Sequence, residues 1–135
     1  MASTFEQHGA FSWSELMTDD PEKAVEFYRQ VIGWDVEAMP MEGGTYHVIK
    51  AGGEPVGGIT GKPEGYENIP NHWGSYITVE DVDDTVAAAK AAGGCIVYEP
   101  KDIPGVGRIC AISDQDGAIV SVIAYENTKT EDEPS

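Results

Sequence analysis

From Phe11 to Met17 the side chains alternate. Phe11, Trp13, Glu15 and Met17 fall on one face and Ser12, Ser14 and Leu16 on the other, which predicts a strand. The period then changes. Ala24, Val25, Tyr28, Val31 and Ile32 recur at helical spacing. Asp20-Pro21-Glu22 gives that helix a capping side chain, a proline suited to its first position and an acid at its positive end. Gly33 is expected to close it in a left-handed conformation. Strands are predicted over 34–38, 45–50 and 55–60, with turns at 39–44 and 51–54. The order is β-α-β-β-β.

The same order returns after a Gly- and Pro-rich linker, 61–70. A strand is expected over 73–79 and a helix over 81–92, capped by Asp81 and closed by Gly93-Gly94. Strands follow over 95–98, 107–113 and 118–125, with a proline-rich loop at 99–106, and the stretch 99–107 could act as a lid. One offset of 61 residues superimposes the halves. Asp20 falls on Asp81, Val25 on Val86, Gly33 on Gly94, Leu16 on Ile77 and Val36 on Val97. Caps, core positions and stop signals in phase mark an internal repeat. The expected architecture is an α+β domain over 10–125: module one at 10–60, the linker at 61–70, and module two at 71–125. Residues 1–9 read as a flexible start and 126–135 as an acidic, disordered tail.

Composition narrows the function. A chain of 135 residues, 41% of them hydrophobic, can bury one core without staples. Eight basic residues against 24 acidic ones give a net charge of −16, which disfavours nucleic acid and anionic membrane as partners. Cys95 and Cys110 form no zinc-like cluster and lie in apolar runs, so both read as small core hydrophobes. The N-terminus lacks the pattern of a secretory signal and no apolar run approaches a membrane span, so the cytoplasm is the expected compartment.

Several motifs point to a family. Glu15 to Asp20, Ala24-Val25, Phe27-Tyr28 and Gly33-Trp34 resemble the opening of a glyoxalase / bleomycin-resistance / extradiol-dioxygenase module of the vicinal oxygen chelate superfamily. Asp114-Gln115-Asp116-Gly117 resembles that family's Asp-Pro-Asp-Gly turn before the last strand, and 100–108 resembles a stretch of glyoxalase-like proteins. The resemblance covers roughly residues 8–125. It implies two half-open barrels facing one cavity, a homodimer, and, in the metal enzymes, His and Glu ligands from the first and last strands of each module. Those ligand positions fall on Trp13, Gly74, Ser121 and the run Val56 to Ile59. None is a good ligand, so no metal is expected at the family position and no other cofactor is implied, although a divalent ion held elsewhere stays open.

The residues expected to line the cavity are Trp13, Glu15, Gly58, Trp73, Tyr76, Arg108 and Ser121. They suit a small planar or carboxylate-bearing ligand. Arg108 either binds a ligand carboxylate or pairs with Glu15. Trp13 and Tyr76 are candidates for core packing as much as for ligand contact, and Gly57 and Gly58 admit a ligand, another backbone or a bulge. The leading expectation is a small-molecule binding protein without the family's metal. The alternative is a lyase, isomerase or dioxygenase that uses Glu15 as a base or an unusual metal site built from Glu15, His47 and His72. A purely structural module is the third reading.

Overall fold

The computed structural model describes residues 3–41 and 43–126. Their elements run β1 (Phe11–Thr18), α1 (Pro21–Val31), β2 (Asp35–Met41), β3 (Gly44–Ala51), β4 (Glu54–Gly61), β5 (His72–Thr78), α2 (Val82–Ala91), β6 (Cys95–Ile103), β7 (Gly107–Ser113) and β8 (Ile119–Tyr125). This is the βαβββ order twice. Most of the segment expected to be an acidic tail, 127–135, lies outside the described residues. The chain divides into two compact units, one of Trp13–Gly74 and one that joins the N-terminal residues up to Ser12 to the stretch from Ser75 onward.

In the Trp13–Gly74 unit the strand order is β2-β3-β4-β1. β1 runs parallel to β4, and the β2–β3 and β3–β4 pairs are antiparallel. The predicted cap forms, with Asp20 Oδ1 accepting from the amide of Lys23 and Pro21 opening the helix. Gly33 follows the last turn at a φ of +86°. Leu16, Val25, Val36, Ile49 and Ile59 are buried together, with Ala24, Tyr28 and Trp34 packed against them. One face of the four strands is thus committed to α1. The linker is anchored in this unit. Lys62 Nζ lies 2.8 Å from Asp19 Oδ1, and Asn71 Oδ1 accepts from the Asp19 amide.

The second unit repeats the plan as β5-β8-β7-β6, with β5 parallel to β8. Asp81 Oδ1 accepts from the amide of Asp84. Val79, Val82, Cys110 and Val122 form the buried cluster under α2, joined by Ile77, Val86, Ile112 and Ala124. Residues 3–9 turn back on this unit: Thr78 Oγ1 donates to the Thr4 carbonyl, and the Phe5 and Tyr125 rings meet edge to face at 5.1 Å.

Three local expectations are corrected. The left-handed residue after α2 is Gly93, at a φ of +94°, because this helix ends one residue sooner. Gly94, which the repeat aligns with Gly33, is glycine for another reason: a Cβ there would strike the Ser113 carbonyl. Residues 99–103 are strand, not lid. β6 continues through Pro100 to Ile103 with register shifts between Ile96 and Tyr98 and between Tyr98 and Lys101. It stands last in its strand order, where a missing amide proton leaves no ladder bond unmade. Cys110 is buried as expected, whereas Cys95, first in β6, is exposed.

Candidate functional site

The face of β1 turned away from α1 carries Trp13 and Glu15. Glu15 is only 9% exposed. It pairs in register with Gly58 of β4, and Gly58 with Val48 of β3. Tyr46, two residues before Val48, reaches over Gly58. Its Oη donates to Glu15 Oε2 at 2.8 Å and accepts from Trp13 Nε1, also at 2.8 Å. A Cβ on Gly58 would fall on the Tyr46 phenol. Gly58 therefore supplies the space in which the Tyr46 ring reaches Glu15.

On β2, Met39 pairs with Tyr46 and Glu37 with Val48, so both join this face. Met39 and Met41 are exposed. Glu37 Oε1 lies 2.6 Å from Lys50 Nζ, and that hydrogen bond holds the Lys50 ammonium above its ordinary value. The result is a buried carboxylate held by an aromatic pair, flanked by exposed methionines and one ion pair.

Trp73 is elsewhere. Its indole Nε1 donates to Tyr28 Oη at 3.2 Å, and its ring lies 5.8 Å from that of Trp34 and 5.5 Å from that of Tyr28. This aromatic group belongs to the α1 side. Strand alternation explains the placement, because the repeat aligns Trp73 with Ser12 and not with Trp13.

In the other unit, Tyr76 (6% exposed) pairs with half-buried Ser121, and Ser121 with Ala111. These three share the face turned from α2. Arg108 does not. It pairs with Ala124, shares a face with Cys110 and Val122, and turns toward the helix. Its Nη2 lies 3.1 Å from Asp83 Oδ1 of α2 and its Nη1 lies 3.0 Å from Asp102 Oδ1 of β6. Those bonds, to Asp83 first and Asp102 second, raise its already high pKa. The expectation that Arg108 joins Glu15 or captures a ligand carboxylate at its side is thus corrected. Its two terminal nitrogens are matched by two acids on the helix-bearing face.

The histidines separate from Glu15 as well. His47 pairs with Ile59, in register with Leu16, on the α1 side. It is 8% exposed and lines a cleft of about 240 Å³ with Glu22, Glu26 and Arg29. His72 is exposed, its Nδ1 2.8 Å from the Pro70 carbonyl. A metal site joining Glu15, His47 and His72 is therefore not what these strands build. Among the described residues no group of three His, Cys, Asp or Glu side chains is placed to hold a metal ion. The donor set at the family's positions does not fit a metal either. The Trp13 indole nitrogen donates and has no lone pair to give, Gly74 has no side chain, and the space beside Gly58 is filled by Tyr46.

Tyr46 is the residue that sequence reasoning missed. Its signal was indirect. A glycine inside a strand, opposite a buried acid, asks for a bulky neighbour to fill the gap.

Comparison with known proteins gives consistent results. The description of the Glyoxalase/Bleomycin resistance protein/Dioxygenase superfamily matches residues 10–122. CFP32 of Mycobacterium tuberculosis, provisionally named a glyoxylase, is 44% identical over 123 residues, which are 90% of this chain and 46% of that protein. The anthracycline biosynthesis protein DauV of Streptomyces sp. strain C5 is 27% identical over 127 residues, 84% of this chain and 46% of that one. The chain thus spans about half the length of the curated relatives it matches. A methylmalonyl-CoA epimerase from Mycobacterium tuberculosis superimposes with a TM-score of 0.63 at 16% identity, covering 97% of both chains. That likeness speaks for the fold alone.

Proposed function

The chain belongs to the glyoxalase/bleomycin resistance protein/dioxygenase superfamily, and we propose that it binds a small, planar organic ligand on the strand face of Trp13, Glu15 and Tyr46 without the family's metal. The observation that carries this is Glu15, a carboxylate 9% exposed on a strand face with aromatic and methionine neighbours. A carboxyl group set among aromatic and methionine side chains offers acceptor oxygens to a ligand that brings hydrogen-bond donors. The absence of Arg108 from this face changes the expected ligand. An acidic site favours hydrogen-bond donors or positive charge, not a carboxylate. Planarity suits the rings and the soft methionines. One relative's name, an anthracycline biosynthesis protein, agrees with a ligand of flat aromatic rings.

The test is a fluorescence titration of the purified protein with a panel of planar aromatic amines that includes an anthracycline. Saturable binding by the wild type, weakened roughly tenfold or more in Glu15→Gln, is expected for the loss of a hydrogen bond to a charged group. Failure of every member to bind, or binding that Glu15→Gln leaves unchanged, would overturn the reading.

A second reading is catalytic. Glu15 offers a carboxyl group on a strand face, with Oε2 accepting from the Tyr46 hydroxyl, and a carboxylate so placed can serve as a general base. Turnover of an α-hydroxycarbonyl substrate that disappears in Glu15→Gln, while binding survives, would favour it.

A further inference from the structure

We infer that the cleft between α1 and the β2-β3 strands is a second ligand site, and that it takes a small aliphatic ammonium ion. It lies on the opposite side of the strands from Trp13 and Glu15 and does not rest on the reading of that face. His47 singles it out. This residue of β3 pairs with Ala38 of β2 and with Ile59 of β4. It is 8% exposed, and among the described residues neither of its ring nitrogens has a hydrogen-bond partner. An imidazole has two polar nitrogens to satisfy, and leaving them unmet in a buried place is costly. The side chain lines a cleft of about 240 Å³, so those nitrogens are answered by what enters it.

The facing wall is one stripe of α1. Glu22, Val25, Glu26 and Arg29 stand at i, i+3, i+4 and i+7, so they share one side of the helix, and all four border the cleft. Arg29 is tied down, its Nη2 donating to the Val36 carbonyl at 3.1 Å. Among the described residues neither Glu22 nor Glu26 forms an ion pair. Two acids four residues apart on a helix repel each other, and a cation between them relieves that repulsion. Two acids against one engaged base, on a chain of net charge −16, select a cation over a carboxylate. Val25 and Val36 add aliphatic walls, and the volume is below the roughly 300–1,000 Å³ of sites for drug-sized ligands, so the body attached to the cation is small and alkyl. An ammonium group brings protons for both acids and for an imidazole acceptor. A bare metal ion fits less well, because no three His, Cys, Asp or Glu side chains among the described residues are placed to hold one.

The experiment titrates the full chain with n-butylammonium chloride at fixed pH and ionic strength and follows the ring Cε1 proton of His47 by NMR. His8 and His72 serve as internal controls. A saturable shift confined to His47 is expected, with sodium butyrate producing none. The double variant Glu22→Gln/Glu26→Gln changes two exposed positions and leaves the core untouched. It should weaken the binding roughly tenfold, about what two surface charge contacts are worth together. No saturation at His47, an equal shift at all three histidines, saturation by butyrate, or binding that the double variant leaves unchanged would each overturn the inference.

Discussion

At Gly58 a single methyl group decides whether Tyr46 can reach Glu15. Gly58→Ala is expected to destabilise the protein by about 1–3 kcal/mol, the usual cost of overpacking, measured by urea unfolding. Tyr46→Ala in the same chain should return part of that loss, and a double-mutant cycle would read the coupling. Arg108 makes the opposite case. It is partly exposed and bonded to two exposed acids, so Arg108→Ala should move the melting temperature little and leave ligand titrations unchanged. At Cys110, burial pushes the thiol above its ordinary 9.0, so the thiol stays protonated and shielded. A colorimetric thiol reagent at pH 8 should find Cys95 quickly and Cys110 only on unfolding. Tyr125 is raised in the same way, by burial, above 10.0. For both groups the folded state keeps a proton that the unfolded state gives up more readily. Stability from them is full below pH 9 and falls as pH rises past 9 to 10, which an alkaline melting series would show. At this scale the sequence was partly readable. Strand alternation puts Trp13 and Glu15 on one face of β1, as the register has it. Arg108 was misplaced although the same alternation, counted from Cys110, puts it on the helix side. Tyr46 was invisible because its importance depends on a glycine twelve residues away.

Among the elements, the helix starts carried the clearest signal, because a cap is a local chemical event. Asp20 and Asp81 each accept from the amide three residues on. Asp20→Ala and Asp81→Ala are each expected to cost about 1 kcal/mol, read from denaturant midpoints at constant slope. Helix ends were harder. The offset that aligns the caps aligns Gly33 with Gly94, while the backbone turns at Gly93, since α2 has 10 residues and α1 has 11. The strands most misjudged were β2 and β6. Both carry a proline, Pro40 and Pro100, and both run on past the point where proline suggested a stop. Each stands last in its strand order, and proline is a breaker only where its neighbours need the amide. Position in the sheet is a tertiary fact that no local window contains.

For the whole molecule, a net charge of −16 on 135 residues means self-repulsion in the compact state. Melting temperature should therefore rise as sodium chloride goes from about 0.01 to 0.5 M and the screening length shrinks. Invariance with salt would show that the acids are already locally matched. We also propose a homodimer. α1 exposes Phe27 and Val31, with Ile32 just beyond, and the curated relatives are about twice as long as this chain. Light scattering should give twice the 14.5 kDa of one chain, and a monomer at micromolar concentration would end that idea. The tryptophans add an optical consequence. Trp34 and Trp73 lie 5.8 Å apart with their planes inclined at 66°, close and skewed enough for their electronic transitions to couple. The folded protein should show a paired positive and negative band in circular dichroism that neither Trp34→Phe nor Trp73→Phe retains. Because Trp34 follows α1 and Trp73 stands at the start of β5, that signal is a spectroscopic clasp gauge. It should vanish when the start of β5 lifts from α1, even while the backbone bands of helix and sheet persist.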